Sequence, residues 1–412
     1  MAITTPQNIL YLVHRVPYPP NRGDRIRSFH LLDFLARRAN VYLGTLADEP
    51  LESGTLEALH SRCKEVAIER LGRWRWLTAA ASLTTGRSAT EGLFRSSQLR
   101  QALERWTQQV QFDAVVVFCS SMVQYLDLPG LQSVPTIVDL VDVDSQKFFD
   151  YAATSRGVKK WLYRWEGRRL RKLESSLPSR VQAITLVSHA EAQIYRGFCP
   201  NDRTHAITNG VDLEYFQPSG TECRPERCVF VGALDYRPNI DGICWFCKEV
   251  WPQIRSARPQ ATLAIVGRNP DPAVRRLASL PGVEVFGSVP DVRPHLAEAT
   301  LAVVPLQIAR GVQNKVLEAM AMGKPVIASP GAAEGLGVVD GEELLIAIDP
   351  KHWTASVCRL LADAALRRRI AEVGRQFVEQ QHDWEHSLSG FSGLFDLPAT
   401  ASPSFNGATI HA

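Results

Sequence analysis

A lysine and a glutamate three residues apart, Lys315 and Glu318, have the types and spacing that most directly indicate ligand chemistry. They lie in segment 310–329, where apolar residues recur at helical spacing up to Gly323 and Pro325 then opens a strand-like apolar run. A helix that begins at the carboxyl end of a sheet presents free N–H groups and a positive dipole end. Lys315 suits a phosphate there, and Glu318 can accept hydrogen bonds from a ribose diol. The pattern indicates a nucleotide site, with an ordinary i,i+3 surface pair as the alternative.

Strand-like runs alternate with helical patterns along the whole chain, which predicts α/β domains with parallel sheets covered on both faces. The predicted strands are 9–13, 41–46, 66–71, 114–118, 136–141, 184–188, 228–233, 261–266, 283–286, 301–306, 325–328 and 344–348. A Gly- and Pro-containing polar stretch separates the two sets. We therefore predict two tandem Rossmann-like domains, at 1–206 and 227–397, joined by a linker at 207–226 and followed by a disordered tail at 398–412.

Composition narrows the class of protein. A chain of 412 residues with 45% hydrophobic content has room for two or three domains with proper cores. Its net charge of +3 gives no electrostatic case for nucleic acid. Cys244 and Cys247 form a C-x-x-C inside an apolar helical pattern, without a second pair at zinc-ribbon spacing. With no signal peptide and no apolar run of membrane-spanning length, we expect a cytoplasmic protein with free thiols.

The loop after the first predicted strand forms a second candidate site. A Pro-rich turn leads to Gly23, where the absence of a side chain allows the backbone to approach a phosphate or a sugar. Arg25 and Arg27 could reach the same anion. The alternative is a plain strand-to-helix turn with surface arginines.

Three aspartates lie within or just after the strand predicted at 136–141, namely Asp139, Asp142 and Asp144. Carboxylates near a strand end are candidates for a general base or for binding substrate hydroxyls. Carboxylates two apart can also hold a divalent ion on a diphosphate. This pair ends a strand of the first domain, and the alternative is that it binds no metal.

A basic segment spans 156–180. It holds nine Lys or Arg against two Glu, a net charge of +7, and it is interleaved with aromatic residues. Such a helix can lie on an anionic membrane surface, which here would be the inner face of the cytoplasmic membrane. It can equally be a solvated helix that is partly packed on the core. Both interpretations stay open.

Several separated motifs carry a family resemblance that covers most of the chain. Segment 310–329 closely resembles the donor-binding signature of retaining GT-B glycosyltransferases of family four, and Glu318 falls on the glutamate that binds the ribose. The motifs at 187–188, 209–212, 230–234 and 287–293 occur in the family's order. The resemblance implies the GT-B fold, in which two Rossmann-like domains face a central cleft and a C-terminal helix crosses back to the first domain.

The stretches 14–27 and 139–145 look most like the sugar transferases associated with PEP-CTERM/exosortase exopolysaccharide loci.

Two features depart from the family pattern. Arg310 stands where the family has a second glutamate that contacts the transferred sugar. The arginine and lysine that usually stabilise the leaving diphosphate are replaced by Ala233 and Pro238, which leaves Arg237 and Lys315 as the nearest substitutes.

The resemblance implies a hexosyltransferase that moves a sugar from a nucleoside diphosphate sugar to a glycan or lipid-linked acceptor, with retention and without a metal ion or other cofactor. A nucleotide-sugar epimerase of the same fold and an inactive nucleotide-sugar-binding protein are the alternatives. The candidate catalytic residues are Asp142, Asp139, Lys315 and Arg310. The candidate donor-binding residues are Gly23, Gly232, Arg237, Gly311, Asn314, Lys315 and Glu318. The acceptor-side candidates are Arg25, Arg27 and Asp144.

Overall fold

Each half of the chain folds around a parallel β-sheet because its strands are short, apolar and separated by helices. The computed structural model describes residues 7–72, 75–309 and 311–395. These residues form two compact units. The first unit runs to Ile207 and resumes at Leu388, and the second covers Thr208–Ser387. The predicted α/β class with two parallel sheets is what the structure has.

The first unit contains a seven-stranded sheet in the order β3-β2-β1-β4-β5-β6-β7, with every pair parallel. Its strands are β1 Asn8–Val13, β2 Asn40–Ala47, β3 Glu65–Arg70, β4 Ala114–Phe118, β5 Thr136–Val141, β6 Ala183–Leu186 and β7 Thr204–Ala206. Its helices are α1 Gly23–Ala36, α2 Thr55–His60, α3 Arg75–Thr85, α4 Ala89–Leu93, α5 Ser97–Gln109, α6 Asp144–Thr154, α7 Gly157–Ser176 and α8 His189–Phe198. Short 3₁₀ segments lie at Ser120–Asp127, Pro129–Leu131 and Leu177–Ser179.

The second unit contains a six-stranded parallel sheet in the order β10-β9-β8-β11-β12-β13. Its strands are β8 Arg227–Val231, β9 Thr262–Val266, β10 Val283–Phe286, β11 Leu301–Val304, β12 Val326–Ala328 and β13 Leu345–Ile346. The helices of the chain from here on are α9 Arg237–Trp245, α10 Trp251–Ala257, α11 Pro272–Arg276, α12 Arg293–Glu298, α13 Asn314–Ala321, α14 Pro330–Ala333, α15 Pro350–Ala362, α16 Ala364–Gln381 and α17 Trp384–Ser392. A π turn at Phe246–Val250 joins α9 to α10, and a 3₁₀ turn at Leu277–Ser279 follows α11.

The central strands form the cores of both units. Residues Ile9 to Val13 of β1 are fully buried, as are Val229 and Phe230 of β8. Both strands have a neighbouring strand on each side, and all their side chains except those of Asn8 and Val231 are buried. Their carboxyl ends are consequently held in fixed positions.

The stretch 207–226, which we predict as a linker, is packed on the second unit. The backbone N–H of Val211 donates to the carbonyl of His382 at 2.7 Å, and the Asp212 carboxylate accepts from the N–H of Tyr215 at 2.9 Å. The end of the chain rejoins the first unit, where the Gln182 amide donates to the carbonyl of Leu394 at 2.9 Å. The predicted tail at 398–412 lies outside the described residues.

Across the described ranges, no helix combines the length and the apolar character needed to cross a membrane.

Candidate functional site

The second sheet has a topological switch point between β8 and β11. The chain leaves β8 toward β9 on one side, and it leaves β11 toward β12 on the other side. The helices that follow these strands, α9 and α13, therefore diverge and leave a crevice at the carboxyl ends of the strands, which is where open α/β sheets bind ligands. Gly232 follows β8 at this point, and Lys315 and Glu318 lie on α13.

Lys315 and Asn239 join the two helices across the switch point. The Lys315 Nζ donates to Asn239 Oδ1 at 2.6 Å, and the Asn239 Nδ2 donates to the carbonyl of Ala233 at 2.8 Å. Asn239 is 3% exposed, so its amide is fixed. Lys315 also lies over the ring of Phe230, with its Nζ 5.6 Å from the centroid. Within the described part of the chain Lys315 forms no ion pair, so its charge is oriented but not neutralised.

Two glycines, Gly232 and Gly267, directly follow β8 and β9 beside the switch point. A Cβ at Gly232 would lie 3.0 Å from Asn239 Nδ2 and 3.4 Å from Lys315 Cε. At Gly267, after β9, a Cβ would lie only 1.7 Å from the carbonyl oxygen of Gly232. The two glycines therefore allow the ends of β8 and β9 to pack closely beside Asn239 and Lys315. Gly232, predicted as a donor-side residue, lies next to Lys315 in this arrangement.

Packing of α9 against the end of β11 fixes the distance between the two helices. A Cβ at Gly242 would lie 2.6 Å from the carbonyl oxygen of Pro305, so α9 can approach only because residue 242 is a glycine. Gly311, between β11 and α13, has φ +62° in the left-handed region that favours glycine. Arg310, predicted to face the sugar or the diphosphate, lies outside the described residues.

Burial shifts the pKa values of Lys315 and Glu318 toward pH 7. It lowers the pKa of Lys315 to about 8, against the opposing influence of Glu318. It raises the pKa of Glu318 to about 7, against the opposing influence of Lys315. Groups with shifted pKa values at a crevice are candidates for ligand contact, because a bound partner of opposite charge restores the charged form.

Asn314 is held by a network that the sequence does not reveal. Its Oδ1 accepts from Asn209 Nδ2 at 2.9 Å. The carbonyl of Asn209 lies 3.0 Å from the Nδ1 of His382, and the Nε2 of His382 lies 3.1 Å from the carbonyl of Leu336. The motif at 209–212 therefore orients the first residue of α13 from outside the helix. Of these residues, the sequence singled out only Asn314 as a site residue.

Arg237, predicted to assist at the diphosphate, lies at the first turn of α9 with an 81% exposed side chain. Its guanidinium pairs with Asp241 at 2.7 Å. The Arg237 side chain therefore lies in solvent, whereas Lys315 lies at the switch point between β8 and β11.

The first sheet has its own switch point, between β1 and β4, and α1 begins there at Gly23. A side chain at position 23 would meet no atom within 4 Å. The space beside this backbone is therefore open. Gly23 keeps its place as a candidate contact, although no steric need for glycine exists there.

The roles predicted for Arg27 and Asp139 need correction. The two form a fully buried bidentate pair, with Arg27 Nε 2.7 Å from Asp139 Oδ2 and Nη2 3.2 Å from Oδ1. Their exposed fractions are 1% and 0%. Thr185 Oγ1 also donates to Asp139 Oδ1 at 2.9 Å. Because each charge is answered by the other away from solvent, Asp139 is not positioned as a base, nor Arg27 as an acceptor contact.

Arg25, predicted to contact an anion on the acceptor side, is also buried beside a carboxylate. It is 6% exposed, and its Nη2 lies 3.4 Å from Glu49 Oε2, so a carboxylate already faces its charge.

Asp142 and Asp144 remain at the carboxyl end of β5. Asp144 opens α6 and accepts a hydrogen bond from Ser120 Oγ at 2.5 Å, and Asp142 is half-buried. The backbone around them is strained, since Val141 has φ +69° and Cys119, after β4, has φ +72°. The described residues contain no group of three or more His, Cys, Asp or Glu arranged to hold a metal ion.

His14 and Asp24 form a pair beside this edge that sequence reasoning missed. The His14 Nε2 lies 3.6 Å from Asp24 Oδ2, and Arg15 Nη1 lies 2.9 Å from the same oxygen. Burial by itself would raise the pKa of Asp24, but the contacts with His14 and Arg15 hold it well below its ordinary value. His14 stacks on Phe118 with ring centroids 5.9 Å apart. Only the order His-Arg directly after a strand could have signalled this pair.

Comparison with known proteins points to glycosyltransferases. Residues 225–363, which include the switch point of the second sheet, match a family model described as "Glycosyl transferases group 1". A mannosyltransferase from Corynebacterium glutamicum, described as GDP-mannose-dependent and acting on a monoacylated phosphatidylinositol monomannoside, is 25% identical over 232 residues, 50% of this chain and 60% of the relative. The chain spans about half the length of the curated relatives it matches.

Solved structures cover nearly the whole chain. A sucrose-phosphate synthase from Thermosynechococcus elongatus superposes with a TM-score of 0.71 at 19% identity, covering 95% of this chain and 98% of that one. Anabaena HepE, solved with UDP and glucose, superposes with a TM-score of 0.68 at 14% identity, covering 95% and 99%. These likenesses confirm the predicted GT-B fold class. The family match and the named relatives support the prediction of a transferase.

Proposed function

We propose that the chain is a hexosyltransferase that moves a sugar from a nucleoside diphosphate sugar to a glycan or lipid-linked acceptor. The observation that carries the proposal is the 2.6 Å contact between Lys315 and Asn239 at the switch point of the second sheet. A cation held by an uncharged amide keeps its charge available to an anionic ligand, whereas a cation bound to a carboxylate is already neutralised. The match of residues 225–363 to a glycosyltransferase family supports the same conclusion.

In this proposal the donor diphosphate binds between the N-terminus of α13 and Lys315. The helix contributes N–H groups and its dipole, and Lys315 contributes a movable positive charge. Glu318, one turn further on, accepts hydrogen bonds from the ribose hydroxyls. Gly232, which carries no side chain beside Lys315, allows the ligand to approach the backbone after β8. Asn314, fixed by Asn209, sets the start of the helix.

The chemistry required of these residues is stabilisation of a leaving diphosphate. Negative charge develops on the nucleotide as the glycosidic bond breaks, and a preorganised cation with N–H dipoles lowers the barrier. We propose retention, with the acceptor entering on the face from which the diphosphate departs, and no requirement for a metal ion. The resemblance of segment 310–329 to retaining enzymes supports both features. Asp142 and Asp144 are the proposed acceptor-side residues.

We further propose that the acceptor belongs to exopolysaccharide or other surface polysaccharide synthesis and that transfer takes place in the cytoplasm. The resemblance of 14–27 and 139–145 to exopolysaccharide transferases supports the first point. The C. glutamicum relative, described as acting on a monoacylated phosphatidylinositol monomannoside, supports a lipid-linked acceptor. All eight cysteines are free thiols, which suits a reducing compartment.

The experiment that tests the proposal incubates the purified protein with UDP-, GDP-, ADP- and TDP-sugars, with and without glycan and polyprenyl-linked glycan acceptors. Nucleotide release that depends on an acceptor is the expected result. Interconversion of the sugar without release would make the protein an epimerase. Nucleotide-sugar binding with neither reaction would make it a binding protein.

A further inference from the structure

The amino-terminal turns of α7 present an apolar stripe to solvent. Val158, Trp161 and Leu162 are 75%, 62% and 45% exposed. Their i, i+3, i+4 spacing places them on one face of the helix. They lie just after the turn that joins α6 to α7, and we call these three residues the α7 tip. A stripe of three large apolar side chains at the end of a helical hairpin is costly to leave in water.

The exposed charged residues of α7 are all positive. The exposed charged residues of α7 are Lys159, Lys160, Arg164, Arg168 and Lys172. Within the part of the chain that the structure describes, none of the five forms an ion pair. No acidic residue of α7 is exposed. The stripe is therefore bordered by uncompensated cations.

The two acidic residues of α7 are used inside the unit. Glu166 is 5% exposed and accepts from the N–H groups of Ala89 at 2.7 Å and Thr90 at 2.8 Å, at the start of α4. Glu174 is fully buried and accepts from the N–H of Ser145 at 2.9 Å. These contacts fix the rotation of α7 about its axis. The direction in which the α7 tip points is thus set by the fold.

We propose that the α7 tip docks the first unit on an anionic lipid bilayer. Trp161, Leu162 and Val158 enter the boundary between headgroups and acyl chains, and the flanking lysines and arginines contact lipid phosphates while their apolar stems follow the stripe. Each cation near an anionic surface adds to binding. The cores of protein–protein interfaces are depleted in lysine, so a narrow apolar stripe with a lysine border fits a membrane better than a protein partner. The surface stands independently of the transfer reaction.

Vesicle flotation of the full chain tests the proposal without any substrate. We expect binding to vesicles of phosphatidylcholine with about one third phosphatidylglycerol and much weaker binding to pure phosphatidylcholine. The charge variant Lys159→Glu/Lys160→Glu should lower partitioning by about thirtyfold or more. The apolar variant Val158→Ser/Trp161→Ser/Leu162→Ser should lower it by about tenfold or more. Raising NaCl to about 0.5 M should also weaken the binding of the parent protein to anionic vesicles.

Matched controls are available on the second unit. Lys248→Glu changes an 81% exposed cation, and Ile348→Ser removes a 72% exposed apolar side chain. Both should bind vesicles like the parent. No binding to anionic vesicles, equal binding to both vesicle types, or parental binding by either α7 variant would overturn the proposal. Loss of binding in the charge variant alone, together with retention of the parent on a soluble polyanion, would assign the surface to an anionic polymer and also overturn it.

Discussion

Lys315 of α13 donates a hydrogen bond to Asn239 of α9 at 2.6 Å, which joins the helices that follow the neighbouring strands β8 and β11. The two residues are 76 positions apart in sequence. The contact is possible because Gly242 allows α9 to lie against the end of β11. It holds a half-buried cation, paired with no carboxylate among the described residues, at the place where a parallel sheet binds its ligand.

The variant Lys315→Met should weaken nucleoside diphosphate binding by about tenfold or more, because a charge-assisted hydrogen bond contributes about 1.5–3 kcal/mol. Methionine retains the length of the side chain, so thermal stability should change little. Isothermal titration calorimetry gives the affinity, with Lys248→Met as the control for an exposed lysine. Equal affinities in all three proteins would remove Lys315 from the donor site.

The variant Glu318→Ala should also weaken nucleotide binding more than it affects folding, because it removes hydrogen bonds to the ribose while alanine is well tolerated in a helix. The loss should be smaller for a 2′,3′-dideoxy nucleotide, which cannot donate to the carboxylate. Glu372→Gln, on α16, is the control for an exposed glutamate. If the dideoxy nucleotide lost as much affinity as the ribonucleotide, the ribose assignment would be wrong.

Asn239→Asp should reduce diphosphate affinity more than Asn239→Ala. The alanine variant loses the group that orients Lys315, whereas the aspartate adds a negative charge next to Lys315 that neutralises the cation and repels the ligand. Affinities of both variants for the same nucleotide decide the order. An aspartate variant that binds as well as the parent would mean that the diphosphate lies elsewhere.

Nucleotide affinity should be greatest between about pH 7 and pH 8. Lys315, whose pKa is lowered to about 8, must be protonated to bind a phosphate, so affinity falls as the pH rises above that value. Glu318, whose pKa is raised to about 7, must be ionised to accept from the ribose, so affinity falls as the pH drops below that value. Calorimetry in buffers of different ionisation enthalpy should detect proton uptake on the alkaline side and proton release on the acidic side. In the variant Lys315→Met, the decrease in nucleotide affinity at alkaline pH should disappear. If the decrease persists, a group other than Lys315 causes it.

Transfer activity should survive excess EDTA, because the donor charge is met by Lys315 and the N-terminus of α13. Nucleotide release is measured before and after chelation. Complete loss, restored by magnesium or manganese, would instead make Asp142 and Asp144 candidates for metal ligands.

Arg27→Met should destabilise the protein by about 3–5 kcal/mol, because it leaves the Asp139 carboxylate buried without its partner. The double variant Arg27→Met/Asp139→Leu should recover much of that loss, since no buried charge remains. Urea denaturation of the three proteins gives the free energies of unfolding. A stable but inactive Arg27→Met variant would instead indicate that Arg27 contacts the substrate.

Much of the fold was predictable because both sheets are made of short apolar runs between helical patterns. The predicted strands coincide with β4, β5 and β10, and the other nine lie within two residues of observed strands at each end. The strand β7, Thr204–Ala206, was missed because its three residues are too few and too polar to form a pattern. Helix α6 was missed because it begins directly at the aspartates interpreted as site residues.

The candidate site was predictable where its residues belong to a recognisable sequence motif. Lys315 and Glu318 share one helix, so their spacing could be read directly. Asn239 approaches Lys315 through the crossing of two helices, and Arg27 meets Asp139 from 112 residues away. Such pairings depend on strand order and on which face of a helix is buried. A single sequence leaves both undetermined, so residue type and nearness to a strand end placed Arg27 and Asp139 in the predicted site.

A crystal structure of the protein with a bound nucleoside diphosphate tests the central claim most directly. We predict diphosphate oxygens within hydrogen-bonding distance of the Lys315 Nζ, about 2.7–3.2 Å, and a ribose hydroxyl at the same distance from the Glu318 carboxylate. A nucleotide bound away from the switch point between β8 and β11, with Lys315 contacting only Asn239, would contradict it.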